Sequence, residues 1–518
     1  MSNYLNDNLN QSVFLDINYL EVLGDNTFES SLYTLITHTL DLEEFERQYK
    51  NHRVGRKAYP PALLLRVIFF AYYRGITSSR VIARSCETDL KFMALACGTR
   101  PHFTTIADFV SRNTKEMTSL FHKVLMICCQ SGLVGKEHFA IDGCKLPSDA
   151  SKQWSGRHNE LIKKSDKLKR SAKKIIERHL LNDGGAGNGD DGKHKQTVDT
   201  LLKNAAKIDE FLANNEKREG SGKRKNEVQS NITDNESCKM TTSNGTIQGY
   251  NCQTASDELH QVIVATECFG VGQDQSLLQP MVEQIKENLG DDIFQGETLL
   301  TADTGYSSED NMKYVFGQKI NAVIPDTLHR QRDPRIAGSA SVAKHKQHRQ
   351  KTRKDQPKSS AKIPASEFSF NVESLSCVCP NGHEMMYHGD HFEINGKKYH
   401  RFKSYLKNCR ACPLQRECMK NPLKEHGRQV SFKVDREDNQ NYLDLMKQKV
   451  DSEQGRKNYA RRMWTIEPVF GNITSNKGIH KLSLRGKAKV TCQWMICCIM
   501  HNIEKLWRYG DINTYAKA

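Results

Sequence analysis

The sequence predicts a mixed α/β fold, and three observations predict it. An apolar run, residues 138–146, carries a single carboxylate, Asp142, before Gly143 breaks it; a buried strand that delivers an acid to its end reads this way. A second apolar run, Thr298 to Ala302, ends in Asp303 in the same manner. Between and beyond these runs, stretches of period two alternate with stretches of period 3.6, the pattern of strands crossed by helices.

The chain before the first acid reads as helical. Leu32 to Tyr49 mixes apolar and charged residues at helical spacing. Pro60-Pro61 opens a strong helix, Ala62 to Tyr73, because proline is at home in a first turn, and Gly75 ends it. Thr77-Ser78-Ser79 supplies cap residues for a helix over Arg80 to Cys86. Leu90 to Leu95 is a further short helix, and Thr104-Thr105 starts another like a capped one. Short helices joined by tight turns, with Arg74, Arg80 and Arg84 nearby, fit a helix-turn-helix DNA reader. An ordinary helical packing domain fits the same pattern.

After residue 146 the regular pattern lapses for about a hundred residues. Arg157 to Leu181 and Gln196 to Lys217 read as two charged helices joined by the glycine run 184–189, a helical hairpin inserted between strands. That run lacks the Gly-Lys-Ser/Thr ending of a phosphate loop, which excludes a nucleotide-binding reading. Strands are expected at 248–255 and 260–266, a helix at 276–289, the strand ending at Asp303, a helix at 309–316 and a strand at 320–324, with a helix after residue 455. That order of elements is that of a ribonuclease H-like catalytic core. The expected organisation is a helical N-terminal DNA-binding domain over 1–130 and a first part of the core over 135–325 with its hairpin at 155–225. A basic loop and Cys-rich insertion follow over 326–455, then C-terminal catalytic helices over 456–510.

With 76 Lys and Arg against 61 Asp and Glu, the net charge is +15, which points to a polyanionic partner, most simply nucleic acid. A merely soluble basic protein is the plain alternative. Residues 330–362 concentrate that charge, with eleven basic residues against Asp333 and Asp355. Such a stretch reads as a mobile loop that grips phosphates, or as a solvated linker. No apolar run is long enough to span a membrane, and residues 1–30 lack the pattern of a secretory signal. Several of the sixteen cysteines sit in apolar runs (Cys128, Cys129, Cys497, Cys498), where buried free thiols in a reducing, cytoplasmic setting are expected.

The remaining cysteines cluster. Cys377-Val-Cys379-Pro-Asn-Gly-His383 is followed by Cys409-Arg-Ala-Cys412 and Cys418. A Cys-x2-Cys pair brings two thiolates to one tetrahedral ion, and further thiols close it. The expected ligands are Cys379, Cys409, Cys412 and Cys418, with Cys377 or His383 as a substitute. Zn²⁺ suits such soft donors and would staple a module too small for its own core. A set of reduced thiols without metal is the competing reading.

The acids call for a different ion. In-line attack on a phosphodiester needs the nucleophile activated and the charge on the phosphorane neutralised, which two divalent ions about 4 Å apart achieve. Hard ions such as Mg²⁺ or Mn²⁺ take oxygen ligands. Asp142 and Asp303, at the ends of neighbouring strands, and Glu467, from the last helical region, are the candidate catalytic and metal-ligating triad. Pro468 lacks an N–H and disfavours helical geometry before it, so the helix is expected to begin or kink at Glu467.

Taken together, these stretches resemble bacterial insertion-sequence transposases of the Asp-Asp-Glu type, most closely the insertion-sequence (IS) 1182 family, related to the IS4 and IS5 groups. Tyr59-Pro-Pro-Ala-Leu-Leu-Leu-Arg66 and Gly75-Ile-Thr-Ser-Ser-Arg80 resemble the InsH-like N-terminal domain. Ala140-Ile-Asp-Gly143 resembles the first acidic motif, and Asn231-Ile-Thr-Asp234 through Gly249-Tyr-Asn-Cys-Gln253 the second and third strands. Thr301-Ala-Asp303-Thr-Gly-Tyr306 resembles the second acidic motif. Glu467-Pro-Val-Phe-Gly471, Leu484-Arg-Gly486 and His501-Asn502 resemble the C-terminal region.

The resemblance implies a homo-oligomer that binds the terminal inverted repeats of its element, hydrolyses strands there and joins the freed 3′-hydroxyl to target DNA. It implies no membrane partner. Around the glutamate, Tyr459 and Arg462 match the related pattern, with one extra residue between arginine and glutamate. The lysine expected seven positions after Glu467 is Thr474. Lys477, Arg485 and Lys487 are the basic residues left to take its DNA contact. A nuclease of the same fold that cuts without joining, and a transposase-derived DNA-binding protein, are the two rival readings.

Overall fold

The computed structural model describes residues 16–49, 57–182, 191–220, 226–242, 245–336, 338–339, 363, 365–371, 374–394, 397–419, 427–433 and 442–510. The glycine run 184–189 and most of the basic stretch 330–362 lie outside the described residues. The chain divides into two compact units. The first comprises residues 1–217, 229–325 and 452–518, the second 218–228 and 326–451. No helix among the described residues is long and apolar enough to cross a membrane.

In the first unit, five of the N-terminal helices are α1 (Pro61–Tyr73), α2 (Ser79–Thr88), α3 (Leu90–Leu95), α4 (Phe103–Arg112) and α5 (Thr114–Gln130). Proline opens α1, as the sequence predicts. The caps differ from expectation. Ser78 stands at the start of α2 without a side-chain capping bond. The α4 cap is His102, whose Nδ1 accepts from Thr104 N at 3.4 Å, so the threonines already lie inside the helix. Arg74 and Arg80 pack over the rings of Phe70 and Phe103. Arg74 thus packs on a ring of the helix it ends, and Arg80 of α2 on a ring of α4.

The sheet follows. Its strands are β1 (His138–Pro147), β2 (Cys238–Thr242), β3 (Gly245–Asp257), β4 (Ile263–Phe269), β5 (Leu299–Ala302) and β6 (Asn321–Val323). The order is β2-β3-β1-β5-β6, with β4 also paired to β3. β3 runs antiparallel to β1, β2 and β4, whereas β1, β5 and β6 are mutually parallel. The sequence misses β2, whose five residues, Cys-Lys-Met-Thr-Thr, bury only Met240. The inserted hairpin is present as α6 (His158–Asn182) and α7 (Asp191–Asn214). The crossover helices are α8 (Leu278–Leu289) and α9 (Glu309–Gly317).

Two C-terminal helices complete the unit: α10 (Glu453–Phe470) and α11 (Lys487–Tyr509). α10 runs through Pro468 instead of beginning there. The carbonyl that a proline leaves without its helical donor is Trp464 O, and Gln261 Nε2 reaches it at 3.5 Å. α11 is the centre of the core. Trp494, Ile496, Ile499, Met500, Ile503 and Leu506 are fully buried, each worth about 1.5–3 kcal/mol. It packs on β4 on one side and on α1, α4 and α5 on the other. The N-terminal helices therefore share one core with the sheet and form no separate unit. Gly75 (φ +74°) shows how close that packing is: a Cβ there would lie 2.2 Å from Lys477 O.

The second unit holds an antiparallel sheet that the sequence did not announce. Its strands are β7 (Ser369–Asn371), β8 (Ser376–Val378), β9 (Glu384–Tyr387), β10 (Phe392–Ile394), β11 (Lys397–Lys403) and β12 (Gln429–Lys433), in the order β10-β11-β9-β8-β7 with β12 on β11. The expectation of a module without a core is corrected here. Phe368, Cys377, Met385, Phe402, Val430 and Phe432 form a small one. Each comes from a strand of three to seven residues or a turn, too short to show periodicity.

Candidate active site

Register builds the acidic site. β1 and β5 pair His138 with Leu299 through Ile141 with Ala302. Asp142 and Asp303 come next along the two strands, so their carboxylates stand at adjacent register positions. Asp303 follows the last residue of β5, but Asp142 lies mid-strand: β1 runs on through Gly143 to Pro147, still paired with β3, which corrects the expectation that the strand ends at the acid. His138 fastens the two strands below them: its Nε2 lies 2.8 Å from Thr301 Oγ1, and its side chain is fully buried. Burial pushes its imidazole down to about 4, so it is neutral at physiological pH.

Each acid has one oxygen tied to its own turn. Asp142 Oδ1 accepts from Gly143 N at 2.8 Å, and Asp303 Oδ1 from Gly305 N at 2.7 Å. Burial raises the Asp142 carboxyl to about 6; Asp303 and Asp274 push the same way, while Arg462 and Gly143 N–H oppose. Arg462, on α10, donates to Asp142 Oδ2 at 2.5 Å and stands 3.8 Å from Glu467 Oε1. Its side chain is only 12% exposed, and its Nε is buried without a hydrogen-bond partner. One guanidinium thus sits between two of the three expected acids and feels the third, Asp303. Tyr459, one turn earlier on α10, also bears on its charge. Arg461 and Trp464 both bind Glu258, beside β3, which holds α10 in place.

The sequence reading missed a fourth carboxylate. Asp274, in the loop before α8, accepts through Oδ1 from Asn251 Nδ2 at 2.6 Å and Gln253 Nε2 at 3.0 Å. A Cβ on Gly305 would lie 2.9 Å from Asp303 Oδ1 and 3.0 Å from Asp274 Oδ2, so these two oxygens converge over a residue that has no side chain. Lys145, further along β1, stands 3.9 Å from Asp274 Oδ2. The surrounding Gly-Val-Gly-Gln-Asp-Gln has no periodicity to flag it. Its only signal is a lone acid following two glycines.

The other expected DNA contacts lie elsewhere. Lys477 pairs with buried Glu504 at 3.3 Å and covers the Tyr73 ring at 3.7 Å. Burial holds its ammonium below the ordinary lysine range. Arg485 binds Asp149 O at 2.9 Å and pairs with its carboxylate at 3.0 Å. Lys487 pairs with Glu267 at 2.6 Å. All three are paired within the chain, Lys477 with a buried acid and Arg485 and Lys487 in half-exposed surface pairs. Thr474 donates to Phe470 O at 2.7 Å, closing the π-helical turn after α10. His501 and Asn502 are also structural. Asn502 exchanges two 2.8 Å bonds with the Ile263 backbone, and His501 Nε2 lies 2.9 Å from Gln261 O.

Cys379, Cys409, Cys412 and Cys418 line one pocket in the second unit. Burial raises the Cys418 thiol; Arg428 opposes this, and the other three cysteines add to it. Cys377 is buried in the core, 3.8 Å from Met385 Sδ, and is not part of the lining. Among the described residues, no three His, Cys, Asp or Glu side chains close on one point as a metal would require, either here or at the acids. The donor chemistry still separates the two sites, hard oxygens in one and soft thiols in the other.

Two families match the chain: a transposase DDE domain over residues 378–507 and a transposase domain (DUF772) over residues 21–112. The first takes in Glu467 and the cysteine pocket but neither Asp142 nor Asp303. No curated protein and no solved structure matches.

Proposed function

We propose, from the premise that this chain belongs to the DDE transposases with domains typical of the IS 1182 family, that it cuts the ends of its own mobile element and joins them to target DNA. It would do so as a homo-oligomer on the terminal inverted repeats, in the bacterial cytoplasm. The observation that carries this reading is the register that brings Asp142 of β1 beside Asp303 at the end of β5, with Arg462 and Glu467 on one helix against them. The strand order, with β1 central, β3 antiparallel and β5 and β6 parallel, supports a ribonuclease H-like core.

Enzymes of this class generally use divalent metal ions. Asp142, Asp303 and Glu467 are the residues that would hold Mg²⁺ or Mn²⁺, and their oxygens suit a hard ion. Bound there, the metal would activate the nucleophile and neutralise the phosphorane. The chain's own residues supply the rest. Arg462 pairs with Asp142 in the free protein and, with Tyr459, would meet the scissile phosphate. Asp274, held by two amides, adds negative charge beside Asp303. Lys145 is the nearest basic side chain on β1 to stand in for the lysine that Thr474 replaces.

Purified protein, Mg²⁺ and labelled element ends test this reading. Joined products are expected. Cleavage without joining would favour the nuclease. A mobility shift without cleavage would favour a DNA-binding protein that has lost its chemistry, a reading that Thr474 and the buried pairing of Lys477 support.

A further inference from the structure

We propose that Cys379, Cys409, Cys412 and Cys418 bind one zinc ion that staples the second unit. The inference is independent of the DNA chemistry above. The four thiols come from three places in the chain. Cys379 follows β8, Cys409 and Cys412 flank the end of the short helix Leu406–Arg410, and Cys418 ends the helix Gln415–Cys418. Together they border one pocket of about 30 Å³, and none is in a disulfide. A pocket of that size admits a single ion or water.

The backbone around the sulfurs is already shaped. Cys379 N donates to His383 O at 2.9 Å and Gly382 N to Cys379 O at 2.8 Å. The loop between β8 and β9 therefore turns tightly, with Gly382 at φ +77°, and Cys379 stands at its start. Cys412 N donates to Cys409 O at 3.4 Å, which keeps the Cys-x2-Cys pair in one turn. Arg428 N points at Cys409 Sγ at 3.5 Å, an N–H···S contact of the kind that stabilises a thiolate. Beside it, a Cβ on Gly427 would lie 3.2 Å from that sulfur and 2.2 Å from Ser404 O, so only glycine lets the chain pass so close.

The sulfurs line the pocket without meeting at its centre. Zinc is the ion that four soft thiolates select. It also has structural work to do. The unit's core is six side chains, with Cys379 and Cys418 packed at its border. An ion there would tie the border of that core to the Cys409–Cys412 turn, and binding free energy of this kind is folding free energy. Cys377 belongs to the core and takes no part.

The test is the metal content of the full-length protein. About one zinc per chain is expected, lost in Cys412→Ser and Cys409→Ser and kept in Cys377→Ser. Exchange for Co²⁺ should give the intense visible bands and sulfur-to-metal charge transfer of a tetrahedral thiolate site. That readout uses the wild type and survives if the serine variants fail to fold. Chelation should lower the melting temperature, and added Zn²⁺ should restore it. A folded wild type without zinc, a Cys412→Ser variant that keeps it, or these thiols recovered as disulfides would each overturn the proposal.

Discussion

The acidic site on β1, β5 and α10 and the thiol-lined pocket of the second unit both gather like side chains, but by opposite means. The acids come from positions 142, 303 and 467 and meet only because a sheet register and one helix bring them together. The thiols fall within forty residues and line one pocket through tight turns. In the free protein one cation of the chain itself, Arg462, pairs with Asp142 and stands near Glu467, whereas the thiols border a small void. Side chains far apart in sequence need rigid elements to bring them to one place, whereas side chains close in sequence need only local turns.

The comparison breaks most sharply at the triad. Asp142→Ala, Asp303→Ala and Glu467→Ala should each bring cleavage of labelled element ends down to background while end binding persists. A variant that still cuts near the wild-type rate does not carry a triad residue. Asp274→Asn keeps the amide contacts in shape but removes the charge, so the expected loss is smaller. It should be on the order of 10–100-fold in cleavage or Mn²⁺ affinity, as for groups that tune a metal site from behind its ligands. Unchanged cleavage and Mn²⁺ binding would reduce Asp274 to a loop anchor.

A third substitution separates fold from DNA contact. Lys477→Met strands part of the charge of buried Glu504, which still keeps Arg508 and Asn472 as partners. Stability should fall by about 1–3 kcal/mol in chemical denaturation, with the salt dependence of DNA binding unchanged. A lower salt slope would return Lys477 to the phosphate backbone.

The smallest effect concerns acid. His138 and His501 are buried, and burial pushes both down to about 4. The unfolded chain therefore binds protons at a higher pH than the fold does. Their contribution is complete above about pH 6.5 and is lost as pH falls toward 4. Melting temperatures across that window should fall, and His501→Gln should flatten the fall. An unaltered slope would assign the acid sensitivity to other groups.

What could be read in the chain follows from the range of the forces that write it. The runs ending at Asp142 and Asp303 were legible because a strand buried on both faces must be continuously apolar, so a single acid at its end stands out. The spacing of Cys409 and Cys412 was legible because it is local. β2 was not, since it buries one methionine, and neither was the second sheet, whose short strands give at most two side chains apiece to its core. The partners of Lys477, Arg485 and Lys487 were not legible, because a sequence shows charge without showing what it pairs with: Glu504, Asp149 and Glu267 meet them only once the chain is folded.

By itself, then, the sequence determined a helical N-terminal region, an α/β core with an acid on each of two neighbouring strands or just past its end, a helical hairpin between its strands, and a cysteine cluster with metal spacing. These rest on periodicity, breakers and spacing, which act over a few residues. Only the tertiary structure decided that α11 binds the N-terminal helices and the sheet into one core, that Arg462 stands among the acids, and that Asp274 joins them. Each of those depends on residues tens to hundreds of positions apart meeting through packing, and no local pattern records such a meeting.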